Sequence, residues 1–174
     1  MHFSNWPHYK LSFIRQRYNS IASFFLFLEW MFLLPPGIRS EAVDCLKLKP
    51  GDRVLEIGCG TGRNLSLLHG AVGPEGHIYG VDLSEGMLSK ARQLCMKRRW
   101  SNVTLTHSDA ADYVPPESVD GVIFSLSYAT MPHHKTVYTT VGINYCPERI
   151  LSLWTPNSRE EHLGRYFCLI AYGL

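Results

Sequence analysis

The stretch VLEIGCGTG at residues 54–62 decides the fold of this 174-residue chain. Its first four residues are mostly apolar and predict a buried strand, and three glycines follow directly. Glycine has no Cβ, so a turn built from Gly58, Gly60 and Gly62 lets a ligand come close to the backbone. Such a turn is also an ordinary connection from a strand to a helix, so the neighbouring sequence must decide whether it is a site.

Strand and helix patterns alternate around this stretch. A Pro-Gly turn ends a predicted helix over 39–48, a second helix is predicted over 63–69 with its stop at Gly70, and Ser84 is the predicted N-cap of a third. The alternation predicts an α/β fold with a Rossmann-like, doubly wound and mostly parallel sheet, whose strand ends meet at one edge. The predicted strands are Arg53–Ile57, 77–81, Val103–His107 and Gly121–Ser125.

The residues around the turn indicate which kind of ligand it binds. Arg63 stands where a dinucleotide fingerprint needs its third glycine, and no Gly-Lys-Ser/Thr follows, so nicotinamide, flavin and P-loop sites are disfavoured. Glu56, two residues before Gly58, would repel a pyrophosphate but suits a ligand with an ammonium and a sulfonium. Asp82 ends the second strand, where its oxygens can accept from ribose hydroxyls; helix capping together with Ser84 is the alternative.

Four motifs occur in the order of a known family: VLEIGCGTG, then GVDLS, HSDA and VDGVIFS. In these motifs, over about residues 40 to 135, the chain resembles the class I S-adenosylmethionine-dependent methyltransferases. The resemblance implies S-adenosylmethionine as the cofactor and methyl transfer as the activity. Upstream, YNSIA at 18–22 resembles the start of the quinone-biosynthesis branch, which includes ubiquinone and menaquinone C-methyltransferases.

The resemblance also implies a role for each residue at a matching position. The glycine turn with Thr61 faces the methionine portion, Glu56 lies nearby, and Asp82 holds the ribose. The adenine lies against the residues after the third strand, and Ser125 closes the pocket beside the reacting methyl. The implied cofactor-binding residues are Glu56, Gly58, Gly60, Thr61, Gly62, Asp82, Asp109, Ala110 and Ser125.

The segment IASFFLFLEWMFLL at 21–34 is intensely apolar. It contains Glu29 and is shorter than the roughly 20 residues of a spanning helix, so we expect a core helix or a lid. A lid favours a small lipophilic acceptor, either a quinone precursor or a phospholipid amine, with peripheral contact to a membrane. The basic run KRR at 97–99 is compatible with such contact, and equally with the solvated end of a helix.

An acceptor that must lose a proton requires a base. Tyr128, His133 and His134 follow the fourth strand and are the candidates, with an ordinary surface loop as the alternative. Two other function classes stay open: a binding module or remnant that keeps the fold without turnover, and an NAD-dependent oxidoreductase, which Arg63 disfavours.

The composition excludes further classes of protein. The 17 Lys and Arg against 15 Asp and Glu leave a net charge of +2, which gives no basic surface for nucleic acid. The five cysteines are odd in number and lack CxxC spacing, so we expect neither disulfides nor a zinc site, and a reducing cytoplasmic location. His133 and His134 have no partner at ligand spacing, so no metal is expected.

The pattern changes after Lys135. We divide the chain into an apolar helical segment (1–38), a cofactor-binding α/β domain (39–136) and an atypical tail (137–174). The tail has little apolar periodicity, so we expect the sheet to be truncated after strand four, with an exposed edge, poor stability and little turnover. We hypothesise that the tail is frame-shifted, because a shift at the Val137 codon permits a Pro-Gly turn and a buried strand; an early stop in that frame of the gene would exclude this.

Overall fold

The computed structural model of the protein describes residues 16, 37–125, 137, 150–153 and 168–170. The apolar segment at 21–34 and the candidate bases Tyr128, His133 and His134 lie outside the described residues. The division of the chain into three parts stays a prediction. Within the described ranges, no helix combines the length and the apolar character that crossing a membrane requires.

The described helices and strands form a layered α/β structure around one sheet. The sheet has the strand order β3-β2-β1-β4-β5-β6, in which β1 to β5 are parallel and β6 runs antiparallel beside β5. The elements are α1 (Ile38–Cys45), β1 (Arg53–Ile57), α2 (Leu65–Val72), β2 (His77–Asp82), α3 (Glu85–Arg98), β3 (Val103–His107), β4 (Gly121–Ser125), β5 (Ile150–Leu153) and β6 (Cys168–Ile170).

The predicted Rossmann-like, mostly parallel fold is confirmed, and the bounds of β1, β3 and β4 agree with the prediction. The first helix ends at Cys45, earlier than predicted. The predicted helix stop at Gly70 is wrong, because α2 continues to Val72, whose side chain is fully buried in the core. Gly73, with φ of 68°, follows as the C-cap, where a positive φ suits glycine.

The prediction that the sheet is truncated after strand four is wrong. β5 pairs with β4 in parallel, from Val122 opposite Ile150 to Ser125 opposite Leu153, and β6 pairs with β5. The backbone groups on the outer edge of β4 are therefore used within the sheet, and the exposed edge from which we expected poor stability does not exist. Strands of four and three residues are too short for the periodicity of apolar residues to identify them.

Two apolar clusters fix β1 at the centre of the fold. One cluster joins α1, α2 and α3 to one face of the sheet, through residues such as Val43, Leu68 and Ala91. The other lies on the opposite face and contains Leu55, Phe124 and the isolated described residue Val137. With β2 and β4 on its two sides, β1 is enclosed on all four sides, so the turn that follows it starts from a rigid base.

Gly76 marks a close backbone approach before β2. A Cβ at this position would lie 2.5 Å from the Asp52 carbonyl oxygen and 2.6 Å from the Val72 carbonyl oxygen. We expect Gly76→Ala to lower the free energy of unfolding by about 2–3 kcal/mol, because backbone atoms must move to admit the methyl group. Gly70→Ala is the control: nothing lies within 4 Å of its Cβ position, and alanine in a helix should raise stability by about 0.5–1 kcal/mol. Urea unfolding followed by circular dichroism measures both, and a neutral Gly76→Ala would contradict the packing described.

Candidate functional site

The glycine turn after β1 is packed on one side and open on the other. Gly58, Gly60 and Gly62 have φ of 71°, 55° and 82°, in the left-handed region that favours glycine. A Cβ on Gly62 would lie 2.7 Å from Leu65 Cδ1 and 3.3 Å from Ala91 Cβ, so this glycine lets the turn pack against α2 and α3. A Cβ on Gly60 would meet nothing within 4 Å, so a ligand can approach the backbone there.

Backbone hydrogen bonds bring three strand ends together at this edge of the sheet. The N–H groups of Gly58 and Cys59 both donate to the Val81 carbonyl oxygen, at 2.8 and 3.1 Å. The Ser108 N–H, just beyond β3, donates to the Asp82 carbonyl oxygen at 3.2 Å. Hydrogen bonds thus join the loops that follow β1, β2 and β3 at one edge, as the parallel sheet predicts.

The Asp82 carboxyl connects the glycine turn to the start of α3. Its Oδ2 accepts from the Gly60 N–H and its Oδ1 from the Ser84 N–H, both at 2.8 Å. Burial raises the pKa of Asp82 above its ordinary value, while these backbone donors oppose the rise. Ser84 Oγ accepts from the Met87 N–H at 3.3 Å, which confirms the predicted N-cap. Asp82 therefore supports the helix start and at the same time holds the turn in place.

Glu56 is a carboxyl buried at the end of β1. The residue is 1% exposed, and its Oε1 accepts a hydrogen bond from Asn64 Nδ2 at 2.7 Å. Burial is the main reason that the pKa of Glu56 is raised to about 8; the Asp82 carboxyl adds to the rise, whereas the Asn64 hydrogen bond and the Arg39 charge oppose it. Oε2 is buried and has no hydrogen-bond partner within the described residues. A buried oxygen of this kind is unusual and points to a missing donor.

Thr61 supplies a second buried polar atom of the same kind. Among the residues that the structure describes, its Oγ1 has no hydrogen-bond partner. Thr61 belongs to the glycine turn, five positions after Glu56. Two side-chain oxygens at the predicted methionine end of the site are thus available to a ligand or to water.

Arg39 and Asn64 complete the surroundings of Glu56, and the sequence did not reveal them. Arg39 Nη1 donates to Asn64 Oδ1 at 3.0 Å. Asn64 directly precedes α2, which is the position of a capping residue, yet its side chain makes no capping hydrogen bond. Arg39 lies on α1, 25 residues earlier in the chain, so only the packing of α1 against α2 brings the two together.

The remaining predicted cofactor-binding residues lie at the same edge of the sheet. Asp109 Oδ1 accepts from the Ala111 N–H at 3.0 Å, so this carboxyl supports the loop after β3. Ala110 is half-buried and, like Tyr113, packs against the cluster that contains Leu55 and Phe124. Ser125 is the last residue of β4, beside the end of β1 in the sheet. The backbone thus places each of them near the glycine turn, and their contacts to a cofactor remain predictions.

The thiol of Cys59, inside the glycine turn, is not activated in this environment. Cys59 is buried, and burial first, then the Glu56 and Asp82 carboxyls, raise the pKa of its thiol. A thiol in this environment stays protonated and is a poor nucleophile. No group of three His, Cys, Asp or Glu side chains that could hold a metal ion occurs in the described part of the chain.

Comparison with known proteins gives the site a family context. A family model described as a methyltransferase domain matches residues 54–142. The demethylmenaquinone methyltransferase of Geobacillus kaustophilus (strain HTA426) is 34% identical to this chain over 129 residues, which cover 74% of this chain and 52% of that protein. The chain spans about half the length of the curated relatives it matches.

Solved structures with the same fold extend this comparison. A SAM-dependent methyltransferase from Aquifex aeolicus is similar at a TM-score of 0.60 and 20% identity, covering 74% of this chain and 73% of that one. Coclaurine N-methyltransferase, bound to N-methylheliamine and SAH, is similar at a TM-score of 0.58 and 14% identity, covering 68% of this chain and 34% of that one. At these identities the likeness concerns the fold.

The raised pKa of Glu56 predicts how stability depends on pH. In the folded state the pKa is about 8, above the ordinary value of 4.5. At pH values between these two, the folded state binds more protons than the unfolded state, so the protein loses stability as the pH rises. We expect the free energy of unfolding to fall by roughly 3 kcal/mol more between about pH 5 and pH 8 in the wild type than in Glu56→Gln. Urea unfolding across this pH range measures the difference, and Glu75→Gln, which changes an exposed carboxyl, is the control. Parallel pH profiles for wild type and Glu56→Gln would refute the buried acid.

Proposed function

This chain belongs to the methyltransferase-domain family, and from that premise we propose that it binds S-adenosylmethionine at the glycine turn and transfers the methyl group to a lipophilic acceptor. The observation that carries the proposal is the buried Glu56 Oε2, which has no hydrogen-bond partner among the described residues and lies directly before a turn that is open at Gly60. A carboxyl in this position suits a ligand that brings positive charge and hydrogen-bond donors.

The residues at this edge fit S-adenosylmethionine well. The ligand has an ammonium, a sulfonium, a ribose diol and an adenine. The edge provides two carboxyls, an open glycine and a hydroxyl that has no partner in the described part of the chain. The Glu56 carboxyl beside the turn disfavours a pyrophosphate, which separates this ligand from NAD. Thr61 Oγ1 and Glu56 Oε2 are the atoms that a donor on the ligand would satisfy.

In the proposed complex each chain residue has a binding or orienting role. The turn from Gly58 to Gly62 and Glu56 hold the methionine portion. Asp82 accepts from the ribose hydroxyls through the acceptor capacity that its carboxyl keeps beside its backbone donors, which include the N–H groups of Gly60 and Ser84. Asp109 and Ala110 meet the adenine, and Ser125 closes the pocket. S-adenosylmethionine itself supplies an electrophilic methyl group on its sulfonium.

For the acceptor we propose a demethylated quinol with an apolar tail. Similarity to a demethylmenaquinone methyltransferase supports this choice, as does the apolar segment at 21–34, which suits a lipophilic substrate. A phospholipid amine is the second candidate for the acceptor. Removal of a quinol proton would fall to Tyr128, His133 or His134, and a chain that binds the cofactor without turnover would be a remnant of the family.

Isothermal titration tests the cofactor. We expect the chain to bind S-adenosylhomocysteine (SAH) and not NAD. We expect Asp82→Ala to weaken the binding of SAH at least about tenfold, because the acceptor for the ribose and the hydrogen bond that holds Gly60 are both lost. Asp120→Ala is the matched control, since Asp120 Oδ2 also accepts from a backbone N–H, that of Arg53, at the opposite edge of the sheet. Binding of NAD in place of SAH would rule out the proposal.

Methyl transfer from labelled S-adenosylmethionine tests the acceptor. We expect more product with a prenylated demethylnaphthoquinol than with phosphatidylethanolamine or small amines in the same detergent. Product formed only with the phospholipid would move the proposal to the second candidate. SAH binding without transfer to any of these acceptors would assign the chain to the remnants of the family.

A further inference from the structure

The chain of contacts from Arg39 through Asn64 to Glu56 does not cap the helix that it adjoins. Asn64 is 1% exposed and stands at the N-cap of α2, but it makes no capping hydrogen bond with its side chain. Instead its amide lies between a guanidinium and a carboxyl, at 3.0 and 2.7 Å. Asn64 has a helical backbone, with φ of −89° and ψ of −14°, so its side chain is directed to these two contacts and not to a cap.

Arg39 determines which way the Asn64 amide points. A guanidinium has only donors, so it must face the amide oxygen, and this leaves the NH₂ group to donate to Glu56 Oε1. In the reverse orientation the amide oxygen would face Glu56 and require a protonated carboxyl. The contact from α1 therefore fixes Glu56 as an acceptor at Oε1, while Oε2 has no hydrogen-bond partner within the described residues.

We propose that Arg39 and Asn64 are positioning residues that hold Glu56 for the amino-acid end of the ligand, and that they make the site selective for ligands carrying that end. This inference rests on the proposed function and adds the residues that determine its specificity. Of the groups on S-adenosylmethionine, the ammonium is the strong donor, and it is mostly protonated at neutral pH. It is the group that an oriented, buried carboxyl recognises best.

Two nucleosides separate this role from general support of the fold. SAH and 5′-methylthioadenosine share the adenosine and the thioether, but only SAH has the amino-acid end. We expect the dissociation constant of SAH, divided by that of 5′-methylthioadenosine, to rise about tenfold in Asn64→Ala and about threefold in Arg39→Met, because only the binding of SAH is weakened. Arg39 is half-buried, so Arg39→Met keeps the packing of its stem and provides a second variant should Asn64→Ala fold poorly.

A control variant and a double-mutant cycle test whether the effect of Asn64 acts through Glu56. Asn102 is also a buried asparagine, whose Nδ2 donates to the Gly73 and Gly76 carbonyl oxygens at 2.9 Å before β3, away from the glycine turn. We expect Asn102→Ala to lower stability and leave the ratio unchanged. In a Glu56→Gln background, Asn64→Ala should no longer alter the ratio, because the variant has no carboxyl that can ionise beside the ammonium of the ligand.

Each outcome of the titrations has a definite meaning. A dissociation constant of SAH, divided by that of 5′-methylthioadenosine, that rises in the Arg39 and Asn64 variants but not in the Asn102 variant supports the positioning role. Equal weakening of both nucleosides, or an unchanged ratio, overturns the inference while the proposed function stands. A wild-type chain that binds neither nucleoside overturns the proposed function, and this inference with it.

Discussion

The strand β1 lies between two parallel neighbours and between two apolar clusters, and this enclosure determines the properties of the site. Its residues Val54, Leu55 and Ile57 are almost completely buried, and the same enclosure removes water from Glu56. A carboxyl without water prefers its neutral form, which is why its pKa is raised to about 8. The chemistry of the site thus begins with the packing of the sheet.

The glycine turn is held in place by hydrogen bonds to another carboxyl, not to Glu56. Asp82 provides this carboxyl, and its two oxygens accept backbone N–H groups from the glycine turn and from the residue before α3. The positive φ values at Gly58, Gly60 and Gly62 are tolerated because these residues have no Cβ. The turn is therefore preorganised, and a ligand binds without first having to order it.

The sequence predicted those helices and strands whose position is determined by a local pattern of residues. Three of the strands have the predicted bounds, the Ser84 cap is where it was expected, and the family resemblance is confirmed by the match over residues 54–142. The end of α2 was mispredicted because burial of Val72 outweighs the tendency of Gly70 to end a helix. β5 was missed because pairing with β4, not its own four residues, defines it. Arg39 was missed because its partner is 25 residues away.

Under the proposed function, the carboxyls of this site contribute to binding more than to rate. Glu56 and Asp82 would contact the ammonium and the ribose, which are the same in the reactant, the transition state and the product. Interactions of this kind lower the concentration of cofactor needed and leave the barrier unchanged. A carboxylate against the sulfonium would even slow the reaction, because the positive charge there declines as the methyl group leaves. The acceleration must therefore come from how the chain orients the acceptor, which places the residues that determine the rate beyond the glycine turn, on the acceptor side of the pocket.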